Sequence, residues 1–289
     1  MAEQPLSRVA SDALIADSEG GGMPRLLEIM ARLRDPESGC PWDIAQDFKS
    51  IAPYTIEEAY EVADAIDRQD WSALQGELGD LLFQSVYHAQ MAADAGLFTF
   101  GDVTRTVADK MIARHPHVFG DESRDKTPDQ QTADWERLKA AERASTRVLD
   151  GVAIGLPGLT RAVKLQNRAA RVGFDWPSTD DVLAKLAEEI AELVEARATL
   201  SHDHMVDEFG DLLFVVANLA RHLRIDPEAA LRQANAKFTR RFNWIEDALA
   251  AQGKVPADSN LAEMDTLWNQ AKIRERGVKN DCLSSSVNY

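Results

Sequence analysis

Residues 183–219 read LAKLAEEIAELVEARATLSHDHMVDEFGDLLFVVANL, two apolar-periodic segments with acidic residues at helical spacing on or beside the face a helix would bury. Leu183, Leu186, Ile190, Leu193 and Val194 form the stripe of the first segment, with Glu188, Glu189 and Glu192 against it. Phe209, Leu212, Leu213, Val216 and Leu219 form the stripe of the second, beside Glu208 and Asp211. Residues three or four apart are neighbours on a helix, so Glu189 pairs with Glu192 and Glu208 with Asp211. A short polar turn containing Ser201 and Asp203 would fold the two helices into an antiparallel hairpin that brings four carboxylates to one spot. Like charges at that distance conflict unless something compensates them. Mg²⁺ takes oxygen ligands and keeps positions for water and substrate phosphate, which suits an all-carboxylate set.

One Glu-Glu-x-x-Glu pattern alone reads as a solvated helix face. Here it occurs twice. An offset of 131 residues carries Glu57, Glu58, Glu61, Glu77 and Asp80 onto Glu188, Glu189, Glu192, Glu208 and Asp211, and the run GDLLF recurs at the same offset. Further on, Lys110 and Arg114 match Lys237 and Arg241, and Trp135 and Lys139 match Trp268 and Lys272, each pair one helical turn apart. Acidic pairs beside Lys and Arg suit a polyphosphate, which neutralises cations and takes charge-assisted hydrogen bonds. Lys237 and Arg241 would grip phosphate, Lys272 would add a third charge, and Trp268 would offer a flat face to a base or ribose. Taken singly, each has an ordinary explanation as a solvated charge or a core aromatic; recurrence favours the site.

No glycine-rich phosphate loop is present, and neither Cys40 nor Cys282 sits in a nucleophile context, so metal-activated water is the expected attacker. Glu188 or Glu189 would take its proton, and spacing does not choose between them. A di-iron bundle would need Glu-x-x-His, and no His stands three residues after Glu58, Glu77, Glu189 or Glu208. His115, His117, His202 and His204 read as polar surface.

The rest of the chain reads as helical. Helices are expected from Leu26 to Asp35, over 55–67 with Thr55 as cap, and over 72–94, 102–114 and 130–145, with ESGCPWD and HPHVFGDESRDKTPD as loops. The stretch TRVLDGVAIGLP, 146–157, breaks the periodicity and marks a boundary. A basic helix with Arg161, Lys164, Arg168 and Arg171 follows; aligned on the helix from Leu26, it places Lys164 opposite Glu28. The expected division is a flexible arm over 1–21, a first module over 22–147, a second over 148–277 and a disordered tail over 278–289. The 48 acidic against 32 basic residues, net −16, argue against a nucleic-acid polymer as ligand. No run of 18 apolar residues and no basic-then-apolar N-terminus is present, so neither membrane span nor signal peptide is expected, and a reducing cytosol fits the two distant cysteines.

Eight blocks in unbroken order, CPWDIAQDFKSIAPYTIEEAYEV, GELGDLLFQ, HPHVFGD, KLQNRAARVGFDW, EEIAELVEA, DEFGDLLF, NAKFTRRF and MDTLWNQAK, resemble the MazG family of nucleoside triphosphate pyrophosphohydrolases over residues 23–277. The resemblance implies an all-α fold of two tandem MazG-type modules, dimerised so that paired acidic hairpins form four-helix-bundle cores. It implies Mg²⁺-dependent hydrolysis (Mn²⁺ the alternative) of nucleoside triphosphates to monophosphate and pyrophosphate, as cytoplasmic nucleotide-pool housekeeping. Carried onto this sequence, the metal ligands are Glu189, Glu192, Glu208 and Asp211, with Glu188 adjacent. Nucleotide contacts are Lys237, Arg241, Trp268 and Lys272, with Lys164 and Arg168 as weaker candidates. The corresponding first-module set, Glu58, Glu61, Glu77, Asp80, Lys110, Arg114, Trp135 and Lys139, lacks nothing essential and on sequence alone could form a second active site. The Glu28 for Lys164 exchange favours the second module as the catalytic one. The alternative is a nucleotide-sensing or scaffold protein that binds triphosphate without turnover.

Overall fold

A computed structural model describes residues 7–17, 20, 22–141, 147–199 and 201–285. Among the described residues every regular element is a helix, in two compact units, Met1–Arg143 and Ala144–Tyr289.

The first unit contains α1 (Arg8–Ala16), α2 (Gly22–Leu33), α3 (Pro41–Ala45), α4 (Phe48–Asp67), α5 (Trp71–Asp94), α6 (Phe100–Arg114), α7 (Pro116–Phe119) and α8 (Pro128–Ala141). α4 starts about two turns before Thr55, because Asp47 accepts hydrogen bonds from the Lys49 and Ser50 amides at 2.9 and 2.8 Å while Ser50 Oγ accepts from the Asp47 amide at 2.9 Å. This capping box satisfies orphan donors that Thr55 was expected to serve. Thr55 sits inside the helix instead, its hydroxyl donating to the Ile51 carbonyl and lying 3.0 Å from His88 Nε2. The turn from α4 to α5 is three residues long, with Gln69 at φ +56°, and Asp70 caps α5 by accepting from the Ala73 amide at 3.0 Å. So tight a turn folds α4 and α5 into the expected hairpin. Met30, Ile51, Val86, Tyr87 and Met91 form the core beneath it, with Leu26, Leu27, Phe83 and Phe100 at its edge.

Three expectations change in this unit. Within the arm expected at 1–21, residues 8–16 form a helix packed on α2. Its contact is polar, which is why periodicity did not reveal it: Ser11, 2 % exposed, donates to Glu28, Arg32 donates to Ser11 Oγ at 2.8 Å and pairs with Asp12 at 2.7 Å. The loop ESGCPWD holds the short α3, tied to α5 by Tyr87, which donates to the Asp43 carbonyl at 3.0 Å. The loop HPHVFGD holds α7, and His115 and His117 are half-buried, not polar surface, with His115 lying between the rings of His117 and Trp135 at 5.6 and 5.0 Å.

The second unit repeats the plan with α9 (Gly158–Ala170), α10 (Thr179–Thr199), α11 (His202–His222), α12 (Pro227–Ala250) and α13 (Leu261–Ser285). α9 packs on α11 through Ala162 and Gln166, whose Nε2 donates to the Phe214 carbonyl at 2.8 Å. Arg224 at φ +56° turns the chain from α11, and Asp226 caps α12 by accepting from the Ala229 amide at 3.0 Å. α12 and α13 share a core of Ile245, Leu249 and Leu267. α13 runs on to Ser285, past the tail expected from 278: the segment has no proline, and Gly277 alone costs only about 1 kcal/mol.

The inward stripe of α10 also differs from expectation. Val182, Glu189 and Ala196, seven residues apart, are the buried positions, whereas Leu183, Ile190 and Val194 are exposed, Ile190 by 49 %. On α11, Phe209, Leu213 and Val216 are likewise exposed, and Val215, Ala217 and Asn218 are buried. The hairpin therefore has two apolar faces, of which the chain itself covers one.

Candidate metal and nucleotide site

In the second unit Glu189, Glu208 and Asp211 each place a carboxylate oxygen within 4.8 Å of the other two; in the first, Glu58, Glu77 and Asp80 do the same. Two oxygens trans across a Mg²⁺ at about 2.1 Å stand about 4.2 Å apart, so either group can close on such a cation. All donors are hard carboxylate oxygens, as Mg²⁺ or Mn²⁺ prefers. Glu192 and Glu61 stand outside these groups but beside them. Glu192 is pushed above the usual carboxylate range by desolvation, opposed by Lys185 and reinforced by Glu189, Glu188 and Glu208. Glu61 shares a hydrogen bond with Glu77, whose carboxyl is raised by desolvation and then by the Glu61 charge. Glu58 is raised by desolvation and then by Asp80 and Glu61.

The two groups are compensated differently. Lys185 Nζ lies 2.7 Å from Glu188 and 2.8 Å from Glu189, so an ammonium stands beside the buried carboxylate, and both hydrogen bonds push the Lys185 pKa up. Its sequence spacing to Glu188 and Glu189, three and four residues, was the available signal for a residue the sequence reading passed over. The 131-residue offset puts Tyr54 at the corresponding place in the first unit, where among the described residues no lysine pairs with Glu58. There the amide of Gln84, 8 % exposed, points Nε2 at Glu58 from 3.5 Å, and its Oε1 has no partner among the described residues.

The basic and aromatic candidates of the second unit gather on α12 and α13. Arg241 lies 5.3 Å and Lys272 6.0 Å from the Trp268 ring centroid, so two cations already stand over that ring. Phe238, 58 % exposed and one residue after Lys237, lies 5.4 Å from Trp268 and offers the more open aromatic surface. Arg241 is held by Glu275, whereas Lys237 is exposed and, among the described residues, makes no ion pair. In the first unit Arg114, 8 % exposed, lies 5.1 Å over Trp135, and Lys110 is exposed; the Lys139 side chain lies outside the described residues. Lys164 is exposed on α9, and Arg168 donates to the Asp150 and Gly151 carbonyls, securing the stretch before α9. The ion pairs and hydrogen bonds of Arg241 and Lys272 stay within α12 and α13, so these contacts do not join the patch to the acidic group.

A family model described as the MazG nucleotide pyrophosphohydrolase domain matches residues 46–119 and again 178–245, one copy on each acidic hairpin. The chain is 50 % identical over 256 residues to the nucleoside triphosphate pyrophosphohydrolase of Escherichia coli K12, covering 87 % of this chain and 97 % of that protein. The chain belongs to the MazG family. It is also 42 % identical over 250 residues to the nucleoside triphosphate pyrophosphohydrolase/pyrophosphatase MazG of Thermotoga maritima, covering 86 % of this chain and 94 % of that protein. A Mycobacterium tuberculosis protein named nucleoside triphosphate pyrophosphohydrolase is 34 % identical over 198 residues. The two MazG modules are thus tandem copies, each built around one hairpin with three converging carboxylates.

Proposed function

We propose that the protein hydrolyses nucleoside triphosphates to nucleoside monophosphate and pyrophosphate, with catalysis in the second module. The observation that carries this is the convergence of Glu189, Glu208 and Asp211, in a chain half identical to a pyrophosphohydrolase over nearly that protein's whole length. Those three, with Glu192 beside them, would hold Mg²⁺, with Mn²⁺ as the alternative. When bound, the cation would supply Lewis-acid charge to the phosphoryl oxygens and lower the pKa of water. In the reaction a water oxygen bonds to the α-phosphorus, the bond from that phosphorus to the bridging oxygen breaks, and pyrophosphate leaves. Glu188 takes the water proton, since Glu189 belongs to the metal-holding group and Glu188 stands outside it with its side chain 57 % exposed. Lys237, Arg241 and Lys272 bind phosphate, and Phe238 beside Trp268 lies against the base or ribose.

The exposed second face of the hairpins supports a homodimer. Leu183, Ile190, Phe209 and Leu213 in the second module, and Tyr60 and Leu78 in the first, are too many exposed apolar groups on one kind of surface for water alone to be their partner. Two hairpins joined through these faces would make the four-helix core. Among the described residues no helix is long and apolar enough to cross a membrane, and the nucleotide pool of the cytoplasm is the matching location.

A second reading applies to the first module: metal-dependent nucleotide binding without turnover. It is favoured by Tyr54 in place of Lys185, and by Glu28, opposite Lys164, being engaged by Ser11 and Arg32. Product analysis with the four ordinary ribonucleoside triphosphates and Mg²⁺ tests both readings, using wild type, Glu189→Gln and Glu58→Gln. Monophosphate and pyrophosphate from wild type and Glu58→Gln, and none from Glu189→Gln, are expected. Turnover lost only in Glu58→Gln would move catalysis to the first module. No turnover by wild type would leave binding alone.

A further inference from the structure

Arg241 is fastened at one edge. Its Nε and Nη2 donate at 2.9 and 2.7 Å to a single oxygen, Oε2 of Glu275, while the other oxygen of Glu275 lies 3.6 Å from Arg240. The Arg241 side chain is 16 % exposed. Among the described residues its remaining nitrogen, Nη1, donates no hydrogen bond, and the guanidinium lies 5.3 Å from the Trp268 centroid. Trp268, Lys272 and Glu275 are four and three residues apart on α13, one face of one helix, so the ring, the second cation and the acid are presented together. A flexible arginine loses side-chain entropy when a ligand orders it; one clamped between a carboxylate and an aromatic ring has already lost it.

We infer that Glu275 is a positioning residue for triphosphate binding: it clamps Arg241 through Nε and Nη2 so that the Nη1 end faces outward, ready to donate to a phosphate oxygen. The inference rests on the proposed role of Arg241. The repeat supports it independently. Trp135, Lys139 and Glu142 have the same spacing as Trp268, Lys272 and Glu275, and Arg114 lies 5.1 Å over Trp135 as Arg241 does over Trp268; Glu142 lies outside the described residues. The acid thus belongs to a recurring Arg, Trp, Lys and Glu set.

The test is steady-state hydrolysis of ATP with Mg²⁺ by full-length wild type, Glu275→Ala, Glu275→Gln, Arg241→Ala and the Glu275→Ala/Arg241→Ala double variant, with circular dichroism melts as folding controls. Glu275→Ala is expected to raise KM about tenfold, the loss of one charge-assisted contact's worth of binding, with kcat within about twofold. Glu275→Gln, which keeps an acceptor oxygen and the shape of the side chain, should fall between wild type and Glu275→Ala. The double variant should match Arg241→Ala, because an acid that acts only through Arg241 has nothing left to do without it. An unchanged or lowered KM in Glu275→Ala and Glu275→Gln overturns the inference, and so do multiplicative effects in the double variant. If Arg241→Ala leaves KM unchanged in an enzyme that does hydrolyse ATP, the assigned role of Arg241 falls as well. Absence of wild-type turnover is the separate failure of the hydrolase reading.

Discussion

Replacing Lys185 with methionine keeps the apolar stem and removes the ammonium that stands 2.8 Å from Glu189. The Glu189 side chain is 5 % exposed, Lys185 30 % and Glu188 57 %. Deleting one partner of a fully buried pair costs about 3–5 kcal/mol, and an exposed pair is worth about 0–1 kcal/mol. A buried acid with a partly exposed base falls between, at about 1–3 kcal/mol. The second unit has 146 residues, Ala144–Tyr289, a size at which 1 kcal/mol moves Tm by about 3 °C. In EDTA, Lys185→Met should therefore melt about 3–10 °C below wild type. Mg²⁺ should narrow the gap, because the cation supplies the missing positive charge and no longer has an ammonium to displace. At 100 times Kd a ligand adds about 2.7 kcal/mol, and each tenfold tightening adds about 1.4 kcal/mol. Circular dichroism melts across a MgCl₂ titration, without nucleotide, read both effects. Equal Tm values in EDTA, or a gap that Mg²⁺ leaves unchanged, would refute the reasoning that ammonium and metal serve the same carboxylates.

The two acidic groups should respond oppositely to neutralisation. Glu58→Gln removes a carboxylate from a like-charged group and should raise stability in EDTA at neutral pH by on the order of 1 kcal/mol, seen as a higher Tm, whereas Glu189→Gln leaves Lys185 with Glu188 as its one carboxylate partner and should lower Tm. Because Glu58 and Glu77 are raised when folded, stability they contribute is present below the ordinary carboxylate pKa and lost as pH rises through their folded values. Metal-free melts of Glu58→Gln should therefore vary less than wild type just above the ordinary carboxylate range, and a profile superimposable on wild type would contradict this. Thr99 accepts from the Asp102 amide at 3.3 Å as the cap of α6, so Thr99→Ala should cost about 1 kcal/mol by urea titration, and no change in midpoint would remove the cap from the account. Phe209→Glu, on the exposed face of α11, should give a monomer by analytical ultracentrifugation, and an unchanged sedimentation coefficient matching a dimer would show that this face is not the interface.

The hairpins were legible because their signal is doubled: period, carboxylate spacing and GDLLF all recur at one offset, and the structure closes Glu189, Glu208 and Asp211 together as that spacing requires. Which stripe faces inward was not legible. α10 is apolar on two sides, and composition cannot say that Val182, Glu189 and Ala196 are buried while Ile190 is exposed. Glu192 shares the periodicity of Glu189 yet stands outside the converging group, whereas Glu208 and Asp211, also three apart, both belong to it; spacing names the neighbours on a helix and leaves open which of them reaches across to the other helix. Helix α1 escaped because it packs through Ser11 and Asp12, and periodicity registers only apolar faces. Lys185 and Glu275 escaped for a related reason: each is an ordinary charged residue on a charged helix, and only the distance to Glu189 or Arg241 gives it a role.

The chain enters the world from its N-terminus, and the first unit, with its own core and its own exposed hairpin face, is complete before the remaining 146 residues exist. At ribosomal speeds of about 5–20 residues per second, synthesis of those residues takes about 7–30 s. Through that interval Tyr60, Leu78 and Leu82 stand uncovered on a finished module still tethered to the ribosome. Neighbouring ribosomes on one message hold identical modules at high local concentration, so under the proposed dimer, pairing between nascent chains would compete with chaperone capture of the same apolar face.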